Sequence, residues 1–447
     1  MKTTTATSQQ PRGFIMLTVL IMAILLSMMG MIGAQLLISN ARFQQYENRS
    51  EQALSVAEAG VNYYLWHLAH NPTDYKDGGT TPNTAPYGPY AHDYFDNDGN
   101  LLGTYTLYIT PPVSGSTITT VKSIGTVPKF SGTRTILAQL GQPSFSNYIF
   151  LSDTELRFSS TSTTTGPVHS NVGVEFNGTN NGPVTAASST YTNGSGTHNG
   201  VWGTGGPTSQ WQYPVPSIDF DQVTVNLSNM QTLAQANGVY LNTSGGIGWY
   251  LLLKSDGTID IYRVNSENSS GINTTFVRNQ AAPTNGLLFS TQEVWISGTN
   301  FPGRITVVAA KLPDSSSTRR DINIINNLTY STQDGSAAIG LVAQRSVFVP
   351  RYVPNDMTVN AALLAQYGSV GYDTTNGGLK NSFTLYGAVA QNLNDYGFKT
   401  LGCGSYCNGF PTTTYNFDSH LIYAPPPQYP TTGNYSVLNW REQLFNP

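Results

Sequence analysis

Residues 11–38 read PRGFIMLTVLIMAILLSMMGMIGAQLLI, and no charged side chain occurs between Phe14 and Arg42. Roughly 20 consecutive apolar residues are what a helix needs to cross the hydrocarbon core of a bilayer. Only a helix or a closed barrel satisfies its own backbone polar groups there. The stretch therefore predicts a single membrane-spanning helix behind a short leader carrying Lys2 and Arg12, with everything after Asn40 on one side of the membrane.

Three readings fit this segment. One is a plain amino-terminal anchor. The second is a secretory signal cut after Ala34, but its apolar region exceeds the usual 7–15 residues. The third places cleavage before the apolar run, between Gly13 and Phe14, so that the anchor stays with the mature chain.

Outward from the apolar run, residues 41–71 read ARFQQYENRSEQALSVAEAGVNYYLWHLAHN. Leu54, Ala57, Val61, Leu65 and Leu68 recur at helical spacing, with Gln52, Ser55 and Asn62 on the opposite side. Glu58 falls at the margin, where it needs a partner or water. The spacing predicts that the helix continues to Pro72. Gly13-Phe14 before an apolar helix resembles the cleavage site of type IV prepilins. Ala57-Glu58-Ala59-Gly60 resembles the signature of PilX-type minor pilins. The spacing between the two motifs is more specific than either alone.

The resemblance implies cleavage after Gly13 by a prepilin peptidase and methylation of Phe14. It implies an inner-membrane assembly platform and packing against other pilin subunits through the helix. The expected location is the bacterial cytoplasmic membrane, single-pass with extracytoplasmic domains, and then a pilus or the cell surface. One departure matters. Major pilins carry glutamate at the fifth mature position, where it is thought to pair with a neighbouring amino terminus; here that position is Thr18. A tip or priming position fits that absence better than the bulk of a filament.

Composition sets further bounds. The 447 residues have room for more than one domain. Charged residues make up 10% and the net charge is −4, which leaves no basic surface for nucleic acid. The 26 Tyr, 18 Phe and 44 Gly suit many short strands joined by tight turns rather than a disordered chain. Cys403 and Cys407, in GCGSYCNG, suit a small disulfide loop in an oxidising compartment, with two free thiols as the alternative. No metal site or cofactor is expected.

The fold expected is α+β. A leader (1–13) precedes a transmembrane and amphipathic helix (14–72). An antiparallel β meander (73–141) follows, with alternating strands at 103–110, 116–127 and 133–140. Asp96-Asn97-Asp98-Gly99-Asn100 reads as a turn rather than a calcium loop, lacking the remaining ligands. Beyond it come a β-rich lobe (142–208), an α+β insertion (209–292) and a solenoid-like domain with an extended tail (293–447). The insertion carries a helix at 222–238 and a hairpin turning at Asp256-Gly257. The last part rests on a repeat: Leu341-Val342-Ala343-Gln344, Leu363-Leu364-Ala365-Gln366 and Ala388-Val389-Ala390-Gln391. GRITVVAAK (303–311) resembles an earlier member, and Gly166-Pro167-Val168 recurs as Gly182-Pro183-Val184. Such repetition suits a parallel β-solenoid, with a β-sandwich as the rival. HLIYAPPPQYP (420–430) is expected to lie as a lid on the last coil.

No catalytic residue emerges. His169-Ser170-Asn171 lacks a third group and places neighbours on opposite strand faces. His67 and His70 lack ligand partners, Asp219 and Asp221 read as a solvated pair, and Arg319 and Arg320 as solvated. The function expected is a minor pilin or pseudopilin presenting a β-rich head to a surface, a partner or a glycan. The alternative is a membrane-anchored glycan-active enzyme on a solenoid scaffold.

Overall fold

The computed structural model describes residues 12–80, 82–112, 118–129, 131–373, 378–393, 397–400 and 408–443. The protein is α+β: one long amino-terminal helix, then a chain made mainly of strands. It divides into two compact units. The first takes Met1–Ile109, Val121–Ala138 and Trp440–Pro447, the second Thr110–Thr120 and Gln139–Asn439.

In the first unit helix α1 runs unbroken from Arg12 to His70, 59 residues or about 90 Å. It stops just before Pro72, as proline's effect on the preceding residue requires. From Ile15 to Ile38 its large apolar side chains are all exposed; Leu37 is 72% exposed and Met16 80%. Further on the helix is amphipathic. Ala53, Val56, Ala57, Val61, Tyr64 and Leu68 are buried, whereas Leu54 and Leu65 are only half-buried. The buried seam is thus turned from the expected stripe toward its small residues. Glu58 is exposed to water.

That turn has a steric cause. The helix packs on strands β1 (Tyr87–Phe95), β2 (Leu101–Thr110), β3 (Thr119–Thr126) and β4 (Arg134–Gly141). These form an antiparallel meander at their start, Tyr90 opposite Leu107 and His92 opposite Tyr105. The contact is close enough to exclude a methyl group at two glycines. A Cβ on Gly60 would lie 2.4 Å from Ser123 Oγ and 2.9 Å from the Tyr105 ring. One on Gly125 would lie 2.0 Å from the Ala53 carbonyl oxygen and 2.6 Å from the Ala57 nitrogen. The Ala57–Gly60 signature is therefore the place where helix and sheet backbones meet. Strand β1 was not anticipated. Nor was the fifth strand of the sheet, Ser436–Glu442, which lies beside β4. Asp96 turns the chain between β1 and β2, its carboxylate accepting from Asp98 N at 3.0 Å and Asn100 N at 2.8 Å.

Among the described residues the second unit is organised by one sheet of 20 strands in which the chain repeatedly returns parallel to itself. Leu287–Ser290 lies beside Arg304–Ala309, which lies beside Ala338–Ala343. Next come Asp356–Ala365 and Ser382–Gln391. Phe150–Ser152 then pairs with Val389–Gln391, and Val168–Ser170 and Val184–Ala186 continue the series. Residues expected to form separate lobes thus share one ladder, and the earliest strands stack on the latest.

The repeat is in register for its first two copies, Leu341, Val342 and Ala343 beside Leu363, Leu364 and Ala365. The third slips by one residue: Val389 lies beside Leu363, Ala390 beside Leu364 and Gln391 beside Ala365. The slip follows side-chain alternation, because it keeps Leu341, Leu363 and Val389 together in the interior core. Val342, Leu364 and Ala390 face a second core under helix α2 (Gln222–Asn237), whose Val223, Leu227, Met230 and Ala234 are buried there. Strands covered on both faces read as continuous apolar runs.

The tail also packs differently from a terminal lid. Arg304 donates to the carbonyls of Ala424 and Pro425, each at 2.7 Å, and Thr306 Oγ1 to that of Pro427 at 2.5 Å. It thus crosses the flank of interior strands. Ser144 pairs with Thr431, so the chain enters and leaves this unit side by side.

Forcing a side chain onto Gly125 must push helix and sheet apart. Gly125→Ala is expected to destabilise the first unit by roughly 1–3 kcal/mol, and Glu58→Ala by no more than about 0.5 kcal/mol. Denaturant unfolding of the full chain in detergent micelles, followed through the buried tyrosines, measures both.

Candidate functional site

Three sets of residues are candidates for a functional site: the apolar half of α1, the polar cluster around His169, and a groove in the second unit.

On α1, Gly13 and Phe14 are helical. Thr18 turns its hydroxyl back onto the helix, donating to the Ile15 carbonyl at 2.9 Å. Ser27 does the same toward Ile24 at 2.8 Å. These bonds hide the only hydroxyls of the segment from an apolar surrounding. The helix is long and apolar enough to span a membrane, and none of that face is buried within the chain.

The His169 cluster is structural. The imidazole is 2% exposed, with Nδ1 2.9 Å from Thr185 Oγ1 and Nε2 3.1 Å from Asn171 Oδ1. Burial pushes its pKa down. Ser170 Oγ donates to the Thr154 carbonyl at 2.8 Å and accepts from Val172 N and Gly173 N. Asn171 ties the carbonyl of Ile218 to Asp153. The Thr185 hydroxyl that meets the imidazole also bonds the Val168 carbonyl at 3.0 Å, and the Ser170 hydroxyl is turned to Thr154.

The groove encloses about 780 Å³. Its floor crosses adjacent strands, since Asn323 lies beside Phe348 and Phe348 beside Gly371. Along one margin runs a ladder of side chains, each accepting from the backbone of the next pass. Glu293 Oε2 takes Asp321 N at 2.5 Å, Asp321 Oδ1 takes Ser346 N at 2.9 Å, and Ser346 Oγ takes Ser369 N at 3.3 Å. Arg345 grips Asp321 with two bonds, 2.8 and 2.5 Å, and stands 3.7 Å from Glu293. Burial first, and the Asp321 charge second, raise the Glu293 pKa to about 7. Across the groove, Glu267 Oε1 accepts from Tyr352 Oη at 2.6 Å and Trp295 Nε1 at 3.1 Å.

Other singled-out residues resolve plainly. Arg319 is not simply solvated: it pairs with Asp314 at 2.9 Å and stacks 3.3 Å from the centre of the Tyr367 ring. Arg320 donates to the Thr291 carbonyl at 3.1 Å. Asp219 accepts from Asp221 N at 2.8 Å, fixing the approach to α2 rather than forming an acid pair. His67 lies 3.2 Å from Asp74, and His70 bonds the Trp66 carbonyl at 2.8 Å. Cys403 and Cys407 lie outside the described residues. Among the described residues no three His, Cys, Asp or Glu side chains are grouped to hold a metal. Sequence reasoning missed the groove; a signal lay in the aromatic and basic run Phe348-Val349-Pro350-Arg351-Tyr352, which interrupts the apolar repeat.

The chain matches no family model and no curated protein. Among solved structures, the crystal structure of the competence-associated pilin ComZ from Thermus thermophilus aligns over 89% of this chain and 98% of its own, at 13% identity and a TM-score of 0.32. A superposition that loose carries no weight for fold or function.

An unfolded glutamate titrates near 4.5, and folded Glu293 near 7. Between these values the folded chain holds a proton that the unfolded chain has released. Stability from this group therefore falls as pH rises from about 4.5 to 7, by roughly 3 kcal/mol at most, and levels off above. Glu293→Gln keeps an acceptor for Asp321 N and removes the slope. Comparing urea midpoints of parent and variant at both ends of this window isolates the effect.

Proposed function

We propose that this chain is a minor pilin or pseudopilin. In this reading a prepilin peptidase cuts between Gly13 and Phe14, Phe14 is methylated, and α1 holds the subunit in the cytoplasmic membrane with its β-rich units outside. An assembly platform then extracts it, and α1 packs with the helices of other subunits in a filament. One observation carries the reading: a single helix whose Ile15–Ile38 segment exposes an uncharged and mainly apolar surface continues, without a break, into a half whose small-residue seam is locked to an antiparallel sheet. An apolar rod cannot remain in water. Lipid and a bundle of like helices are the two surroundings that hide it, and a filament subunit needs both in turn. The Ala57–Gly60 seam gives the PilX-type resemblance a physical purpose, rigid transmission from rod to sheet. With Thr18 satisfied inside its own helix, a subunit starting or topping a filament suits the chain better than one repeated along it.

We read the parallel ladder of the second unit as a β-solenoid that serves as a contact surface for a cell surface, a partner or a glycan. A glycan-active enzyme is less well supported. Its acids would have to face substrate, whereas Glu293 and Asp321 already accept backbone N–H and arginine bonds.

Mass spectrometry of the native amino terminus tests the assembly reading. A chain beginning at Phe14 with one added methyl group is expected, and Gly13→Val should leave the leader attached. A chain beginning at Gln35 would overturn it.

A further inference from the structure

We propose that the groove between the hairpin end at Glu267-Asn268 and the passes bearing Asn323, Phe348 and Arg351-Tyr352 is a binding site for a neutral oligosaccharide. The proposal deepens the reading of the second unit as a contact surface. It fails independently of the assembly reading, because the mass of the amino terminus says nothing about the groove.

Size comes first. A volume of about 780 Å³ lies inside the range of specific ligand sites, roughly 300–1,000 Å³. Shape comes second. Neighbouring strands lie about 4.8 Å apart, and the floor crosses several, from Asn323 to Phe348 to Gly371. The trough therefore runs across the strands and suits an extended ligand rather than a compact one.

Chemistry selects the class. The lining mixes three acids (Glu267, Asp321, Asp373) with two arginines (Arg345, Arg351), and neither sign dominates. A polyanion would meet Glu267 and Asp321, and a cation would meet the arginines, so both are disfavoured. Sugar hydroxyls are donors and acceptors at once and match alternating carboxylate, guanidinium and amide groups. The rings of Phe348 and Tyr352 add flat apolar faces on which a sugar ring can lie.

The polar groups are also held in advance. Tyr352 and Trp295 both donate to Glu267 Oε1, fixing that wall. Arg345 is set by two bonds to Asp321, and Arg319 stacks against Tyr367. Groups fixed before binding lose little freedom on binding, which favours affinity. The Trp295 indole, 2% exposed and bonded to the groove wall, supplies a built-in reporter.

The test uses the full chain in micelles of lauryldimethylamine oxide, because a maltoside detergent would itself offer sugar to the groove. Tryptophan emission and calorimetry are followed while malto-, cello-, manno- and chito-hexaose are added separately, with oligogalacturonate and a DNA duplex as charged probes. Saturable binding of at least one neutral hexasaccharide is expected. Phe348→Ala and Arg351→Ala should each weaken it by about tenfold or more, with far-UV circular dichroism and unfolding midpoint verifying that each variant is folded. Three results would overturn the proposal: no neutral hexasaccharide binding at millimolar concentration, binding untouched by both substitutions, or saturable binding of the charged probes alone.

Discussion

Every buried backbone N–H and C=O must find a partner, and the two parts of this chain meet that demand in opposite ways. Along α1 the backbone is satisfied by its own helix, so the Ile15–Ile38 segment needs no outside partner for it and can expose an uncharged, mainly apolar surface. In the parallel ladder of the second unit the pairing is not local. A strand such as Asp356–Ala365 is satisfied only when Ala338–Ala343 and Ser382–Gln391 lie on either side of it. The first solution yields a rod that tolerates a change of medium, the second a body whose integrity depends on every pass. Side chains extend the second solution where strands turn: Glu293, Asp321 and Ser346 each cap the backbone of the next pass. Their burial is a consequence of that duty, and so is the raised Glu293 pKa.

The parts of the fold legible in the sequence are those whose signal is periodic and contiguous. The apolar run, its stop before Pro72, the alternating strands β2 to β4, helix α2 ending at Gly238, and the turn at Asp256-Gly257 each carry their own pattern. Strand β1 escaped because Gly88-Pro89 interrupts it and none of its side chains is fully buried, so its inward positions, such as His92, are not marked by apolar residues. The strand Ser436–Glu442 is likewise mostly exposed, and its partner β4 lies far away in the sequence. The shifted third repeat misled for another reason. Textual similarity aligned Ala390 with Ala365, whereas the pleat aligned Gln391 with it, because keeping Val389 in the interior core outweighs matching letters.

The groove was less legible still. Glu267, Asn323 and the Phe348–Tyr352 run come from three separate segments of the chain. Only the stacking distance of the ladder brings them together. The Phe348–Tyr352 run is the one local mark that such a site leaves in the sequence. The reverse holds for His169-Ser170-Asn171, which looks like chemistry on paper. Its donors and acceptors are consumed by Thr185, Thr154 and Ile218.

Chain order explains why an appended head was the natural expectation and is not the architecture. The Ser436–Glu442 strand lies beside β4 in the five-stranded sheet, so what separates them in sequence is an insertion between two neighbouring strands. Its entry and exit are bound together: Phe145 N donates to the Pro430 carbonyl at 3.0 Å, Thr432 N to that of Pro143 at 2.9 Å, and Thr431 Oγ1 to Gln142 Oε1 at 2.7 Å. An insertion whose ends are adjacent disturbs its host sheet little. It also fixes the topology within. A chain that enters beside its own exit cannot begin stacking at one end and finish at the other. It builds from Phe150 to Gln212, sends α2 across the face, restarts at Val239 and returns until Val389–Gln391 meets Phe150–Ser152. Placing the earliest strands on the latest is therefore what allows one continuous ladder to form in a unit whose entry and exit lie side by side.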